Sequence, residues 1–245
     1  MKFDKPAGTN PIDRMKVVGK PLDRIDGPLK TTGTAPYAYE HNREPANAAY
    51  GYIVGSAIAK GRIRSMDLSQ AKAAPGVIAI VTAEDAGKLG KGNFNTVKLL
   101  GGPDVDHYHQ AVAIVVAESF EQARAAAALV RVDYARAKGR FDLDEELKTA
   151  PLTGGSSGEG SAAPAVDRVG KFEAAYASAP VKLDATYTTP DQSHAMMEPH
   201  ASIAAWNGDE LTLWTSNQMI DWGRGDLAKT LGMPKAKVRL ISPYV

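Results

Sequence analysis

The chain has 245 residues, enough for two modest domains or one large one, with 44% hydrophobic and 23% charged residues. A formal net charge of +1 gives no electrostatic case for nucleic acid or an anionic membrane surface, and zero cysteines exclude disulfides, thiolate metal sites and cysteine nucleophiles together. The longest uncharged apolar-leaning run, Ala48–Ala59, is too short to span a bilayer, and the opening MKFDKPAGTN carries an acid and a proline where a secretory apolar core belongs.

Residues 1–20 are polar and interrupted by Pro6, Gly8 and Pro11, which reads as an extended arm. Turn punctuation dominates 21–47. Tyr50–Ala59 reads as the first strand, Arg62–Met66 as the second, and Asp67 or Ser69 as the cap of a short helix ended by Pro75-Gly76. Val77–Val81 is a continuous apolar run, the pattern of a strand buried on both faces. Thr82 with Asp85 starts another helical turn. Ala111–Ala117 is apolar throughout. Ser119 and Gln122 have the spacing of a capping box, opening a helix with a buried stripe at Phe120, Ala123, Ala127 and Val130. Val130–Tyr134 resumes extended alternation, so strand, helix and strand here read as one crossover unit of a small α/β domain.

Residues 151–168, PLTGGSSGEGSAAPAVDR, have the composition of a linker. A short helix is expected over Phe172–Ala177 and a strand over Val181–Thr189. His200–Trp206 and Glu210–Thr215 flank Asn207-Gly208, the sequence of a tight hairpin. The next helix carries its inner face at Ile220, Gly223, Leu227 and Leu231 and closes at Gly232, ahead of Pro234. Lys237–Ile241 is a last strand, and a strand with no returning partner implies a piece of something longer.

Residues with chemical potential are few. His194, Glu198 and His200 carry ligand-type side chains, but the histidines are six apart with Pro199 between them, and a His-Glu-x-x-His zinc site needs four on one helix face. No metal site is expected there. The glycines of Gly87–Gly92 lack the Gly-Lys-Ser/Thr ending of a phosphate loop. Gly223 and Gly225 each cost a helix about 1 kcal/mol relative to alanine, which calls for a close approach or an irregular first turn. Ser216-Asn217-Gln218 joins a strand's carboxyl end to a helix's amino end, where a ligand or a simple helix cap are both at home. No nucleophile–base pair and no acid pair emerges.

Several blocks are similar to one family. Val18–Glu40, Ser56–Asp85 and Tyr108–Tyr134 resemble the α/β-hammerhead domain of the molybdenum hydroxylases of the xanthine dehydrogenase and aldehyde oxidase family. Met197–Trp206, Leu211–Gln218 and Leu227–Val245 resemble the start of their molybdopterin-binding domain. The implied fold class is α/β (α+β), arranged as an arm (1–20), a hammerhead domain (21–140), a linker (141–170) and a truncated cofactor domain (171–245). The resemblance implies molybdenum on molybdopterin, in the cytosine dinucleotide form, in a heterotrimer with an iron–sulfur subunit and an FAD subunit. It implies hydroxylation of aldehydes or N-heterocycles with water as oxygen source, in the periplasm, reached with a signal-bearing partner. Of the family's apparatus only Gln218 carries over, as the amide contacting the molybdenum centre; the catalytic glutamate and the glycine-rich loop have no counterpart here. The expectation is an amino-terminal fragment, inactive alone. The rival is a non-catalytic docking module for the electron-transfer subunits.

Overall fold

The computed structural model describes residues 14–92, 100, 102–150, 169–196, 198 and 200–245. Most of the arm and all of 151–168 lie outside the described residues. Two compact units emerge. One comprises residues 47–199 and 225–235, the other residues 1–46, 200–224 and 236–245. Residues 21–46, grouped above with the hammerhead segment, therefore lie with the strands of the chain's far end.

The larger unit holds β1 (Tyr50–Gly55), β2 (Gly61–Asp67), α2 (Ser69–Lys72), β3 (Val77–Thr82), α3 (Ala83–Ala86), β4 (Asp104–Val105), β5 (Ala111–Ala117), α4 (Phe120–Ala127), β6 (Arg131–Arg136), α5 (Leu143–Leu147) and α6 (Phe172–Ser178); α1 (Gly27–Thr31) precedes them and belongs to the smaller unit. Its strands form two antiparallel sheets of three, ordered β1-β5-β3 and β4-β2-β6. The crossover expectation is corrected here. The helix between β5 and β6 links two different sheets, so it makes no parallel pair.

β5 is the central strand, and its apolar run is explained by that position. Ala113, Val115 and Ala117 are fully buried and pair on one side with β1 and on the other with β3. β3 has an equally apolar sequence but is an edge strand, so Ile78 is exposed and Ile80 alone is buried. A continuous apolar run does not by itself distinguish centre from edge.

α4 lies on this sheet with three alanines inward, Ala123, Ala126 and Ala127. Its predicted stripe is rotated: Phe120 is exposed, touching Tyr52 edge-on with ring centroids 5.8 Å apart. Ser119 caps the helix, accepting from the Gln122 N–H at 3.3 Å, but the reciprocal half of the box is absent. Gln122 instead takes the Ser119 hydroxyl at 3.0 Å, and its amide lies over Gly76, where a Cβ would collide with it. The full box forms at α3, where Thr82 and Asp85 bond each other in both directions.

A buried polar clasp sets the loop before β5. Ser56 donates to the carbonyls of Ile58 and His107, both at 3.1 Å. Gln110 donates to the Asp104 carbonyl at 3.0 Å and accepts from the Asp106 N–H at 2.8 Å. With both side chains hydrogen-bonded, their desolvation on burial is compensated.

The smaller unit contains α1, a 3-10 helix (Ala38–Arg43) and a sheet ordered β7 (Ser202–Asn207), β8 (Glu210–Thr215), β9 (Val238–Ile241). β7 and β8 form the expected hairpin, turning at Gly208 with φ +62°, and β9 runs parallel to β8. α7 (Ile220–Leu231) connects them, and the boundary between the two units falls within it, between Arg224 and Gly225. Its end is a Schellman motif: Met233 N–H bonds Ala228 at 2.9 Å, Gly232 N–H bonds Lys229 at 3.3 Å, and Gly232 has φ +67°. The Gly90 N–H bonds the Thr230 carbonyl at 2.9 Å, which gives this glycine-rich loop a packing reason, since a Cβ at Gly90 would strike Lys229's carbonyl. The expected strand over Val181–Thr189 is not formed; the segment has no ladder partner among the described residues. Among the described residues no helix is long and apolar enough to cross a membrane.

Ala126→Leu overfills the contact between α4 and β5 and is expected to destabilise by about 1–3 kcal/mol. Ala125→Leu, on the exposed face of the same helix, should change stability by less than about 0.5 kcal/mol; denaturant unfolding of both checks it. Hydrogen bonds from the Thr82 hydroxyl and then its N–H hold Asp85 below its ordinary 3.8. The box therefore contributes fully above that value and is lost as pH falls through the lowered one, so Asp85→Asn should flatten the acid limb of unfolding midpoints taken between about pH 6 and pH 2.

Candidate functional site at the carboxyl ends of β8 and β9

Because β8 and β9 are parallel with α7 between them, both strands end on the side where α7 begins. In such units the first turn of the helix presents N–H groups that have no acceptor within the helix, which favours ligands there. The segment Ser216–Met219 makes the turn. The Asn217 N–H donates to the Ser242 hydroxyl just beyond β9 at 2.9 Å, tying the two strand ends together. The Asn217 side chain accepts from the Met219 N–H at 2.7 Å, and Gly223 N–H bonds the Met219 carbonyl at 2.8 Å. Asn217 thus shapes the entry to the helix through an Asx turn.

Gly223 is explained by the same arrangement. A Cβ there would lie 2.8 Å from the Asn217 amide nitrogen and 3.2 Å from Leu240 Cδ1, whereas a Cβ on Gly225 meets nothing within 4 Å. Only the first glycine answers a close approach.

Gln218 comes directly after Asn217 and is exposed, and no hydrogen bond to its side chain is found among the described residues. Met219 and Trp222, also exposed, stand beside it in sequence on the same entry to α7. Asp221 in that first turn is offset by Arg224, 3.5 Å away, whose Nε also donates to the Val238 carbonyl at 3.0 Å. At the β7 edge, Ser202 and Thr215 share a hydrogen bond of 2.7 Å. The end of the sheet is therefore lined by hydroxyls and amides. An exposed side-chain amide beside a helix amino end suits an oxygen-rich anionic group.

His194 and His200 are exposed and Glu198 is half-buried; among the described residues no group of three histidine, cysteine, aspartate or glutamate side chains could hold a metal ion. Sequence reading missed two residues of this unit. Ser242 has no signal beyond its place after the last strand. His41 stacks flat on Trp214, centroids 6.1 Å apart and planes at 25°, with Nδ1 3.7 Å from Glu44 and Nε2 buried without a partner among the described residues. Its 173-residue separation from Trp214 leaves no local pattern to read.

Two family models match the chain. The a/b hammerhead domain of aldehyde oxidase and xanthine dehydrogenase covers residues 32–138, and the molybdopterin cofactor-binding domain covers 159–245. The aldehyde oxidoreductase molybdenum-binding subunit PaoC of Escherichia coli (strain K12) is 62% identical over all 245 residues. The chain belongs to the aldehyde oxidase and xanthine dehydrogenase family. The match takes in 100% of this chain but 32% of PaoC. The nicotinate dehydrogenase large molybdopterin subunit of Eubacterium barkeri is 27% identical over 92% of this chain and 53% of its own. Among solved structures, reconstituted CO dehydrogenase from Oligotropha carboxidovorans superposes with a TM-score of 0.73 at 25% identity, over 93% of this chain and 31% of that one. The hammerhead domain followed by the beginning of a molybdopterin-binding domain is thus the architecture of this family member.

Gly225→Ala should stabilise the chain by about 0.4–1 kcal/mol, since nothing opposes the gain in helix propensity. Gly223→Ala should not, because the displaced Asn217 amide loses its bond to Met219. Paired thermal unfolding of the two variants separates them.

Proposed function

We propose that this chain is part of the molybdenum-cofactor-binding large subunit of an aldehyde- or xanthine-type oxidoreductase that hydroxylates aldehydes or N-heterocycles with water as oxygen source. The observation that carries the reading is the 62% identity, unbroken over all 245 residues, with a molybdenum-binding subunit of an aldehyde oxidoreductase. Because the chain spans about a third of that relative, turnover belongs to the complete subunit. The cofactor is molybdenum on molybdopterin, in the cytosine dinucleotide form. An iron–sulfur subunit and an FAD subunit complete a heterotrimer, in the periplasm.

The residues at the carboxyl end of β8 fit such a group. Gln218 presents two N–H donors with no competing partner among the described residues, and the adjacent acid is offset by Arg224. When bound, the molybdenum centre supplies two-electron oxidation. Gln218 would help hold and orient such a group by donating its amide N–H to it, while Asn217 and Ser242 fix the backbone of the turn that carries Gln218.

The test places this chain in PaoC in exchange for its matching stretch. The exchanged subunit is expected to retain molybdenum and oxidise aldehydes. In it, Gln218→Ala removes a bond to a strongly polar group, of about 1.5–3 kcal/mol, so molybdenum retention or turnover should fall roughly ten- to a hundredfold. Asn217→Ala keeps the backbone bond to Ser242 and loses only the side-chain bond to Met219, so it should cost about 1 kcal/mol of stability and reduce turnover per molybdenum far less than Gln218→Ala. Equal, small losses of stability for both, with unchanged molybdenum and turnover, would reduce Gln218 to a turn residue.

A further inference from the structure

From Val169 to Met196 no residue is buried, although the stretch carries Val169, Phe172, Val181, Leu183 and Tyr187. Helix α6 within it makes contacts among its own residues and with Lys182. Phe172 stacks on Tyr176 with centroids 5.5 Å apart, and Lys182 reaches back over the Tyr176 ring and donates to the Ala177 carbonyl at 2.8 Å. Beyond it the chain forms no helix and no strand up to Met196. Val181, Leu183 and Tyr187 are 85%, 77% and 84% exposed, at odd positions, while Lys182, Asp184 and Thr186 occupy the even ones. That alternation belongs to a strand with one face in a core. No main-chain hydrogen bond is made by 181–189 among the described residues. A segment with a strand's sequence pattern and neither ladder nor core is a template for pairing.

The occupant is indicated by length. The chain aligns from end to end with a relative of which it spans 32%, so a subunit of that build holds twice as much polypeptide again. We propose that residues 181–187 are a latent strand, completed by a strand from the two thirds of the subunit that this chain does not span, with Val181, Leu183 and Tyr187 closing onto that part's apolar interior. The proposal rests on the reading of the chain as part of a molybdenum-binding subunit. It also explains why the expected strand fails to form: its pattern is encoded locally, and its partner is not.

Hydrogen–deuterium exchange resolved by mass spectrometry tests it on the 245-residue chain, on PaoC carrying this chain in exchange for its matching stretch, and on unaltered PaoC over the aligned residues. The amides of 181–187 should exchange freely in the first and about a hundredfold or more slower in the other two. Leu183→Asp in the exchanged subunit should restore fast exchange at 181–187 and lower its unfolding temperature, while leaving that of the 245-residue chain unchanged. Fast exchange at 181–187 in both PaoC forms, with the amides of β5 protected, overturns the proposal. So does protection already present in the chain by itself, whether constant or growing with concentration, since the first means an internal partner and the second a second copy. Molybdenum content is scored separately: an exchanged subunit that holds molybdenum yet leaves 181–187 unprotected refutes the latent strand alone. One that protects 181–187 without molybdenum supports the strand and counts against the cofactor reading.

Discussion

The larger unit depends on the closeness with which α4 approaches the sheet β1-β5-β3. Ala126 and Ala127 on the helix share one core with Ala113 and Val115 on β5, and Ala123 and Ala117 on the same two elements are buried as well. Small side chains on both surfaces bring backbones together, so dispersion contacts and not bulk carry the core. Ala71 and Ile80 complete the cluster, and Tyr52, Met66 and Leu68 close its rim. Met66 comes from β2, so this core also joins the second sheet. A core built this way tolerates little added volume at its centre and much at its rim, where Phe120 already stands exposed.

Much of this was legible from the residues. Each of the strands from β1 to β9 longer than two residues lies on a stretch with strand-like composition, and the glycine closing α7 and the turn at Asn207-Gly208 were read from local chemistry alone. What resisted was non-local. Val77–Thr82 and Ala111–Ala117 have equally apolar sequences, and their different burial comes from which strand has two neighbours. Val181–Thr189 has the pattern of a strand without the pairing. The Ser119–Gln122 box is half made because Gln122 is claimed by its position over Gly76, forty-six residues earlier in sequence.

At the candidate site position alone left the turn Ser216-Asn217-Gln218 open between a helix cap and a ligand, and it was the family resemblance that set Gln218 apart. The structure distinguishes the two amides by partners: Asn217 is engaged by Met219, Ser242 and the space left by Gly223, and Gln218 projects outward. The glycine whose helix cost called for a reason thus found one in Asn217, and its neighbour Gly225 found none.

The smaller unit is assembled from three separate stretches of chain, the first far in sequence from the other two. Tyr37 meets Tyr244 at 5.7 Å between centroids, and the Lys30 ammonium bonds the Val245 carbonyl across 215 positions of sequence. Contacts that distant recover their loop-closure entropy late, and during synthesis they are impossible until β9 has left the ribosome. Residues 21–46 are therefore among the first of the described chain to be made and among the last to find their place. Throughout that interval Ala35 and Ala38, buried in the finished unit, wait in solvent, so the order of manufacture and the order of assembly run in opposite directions.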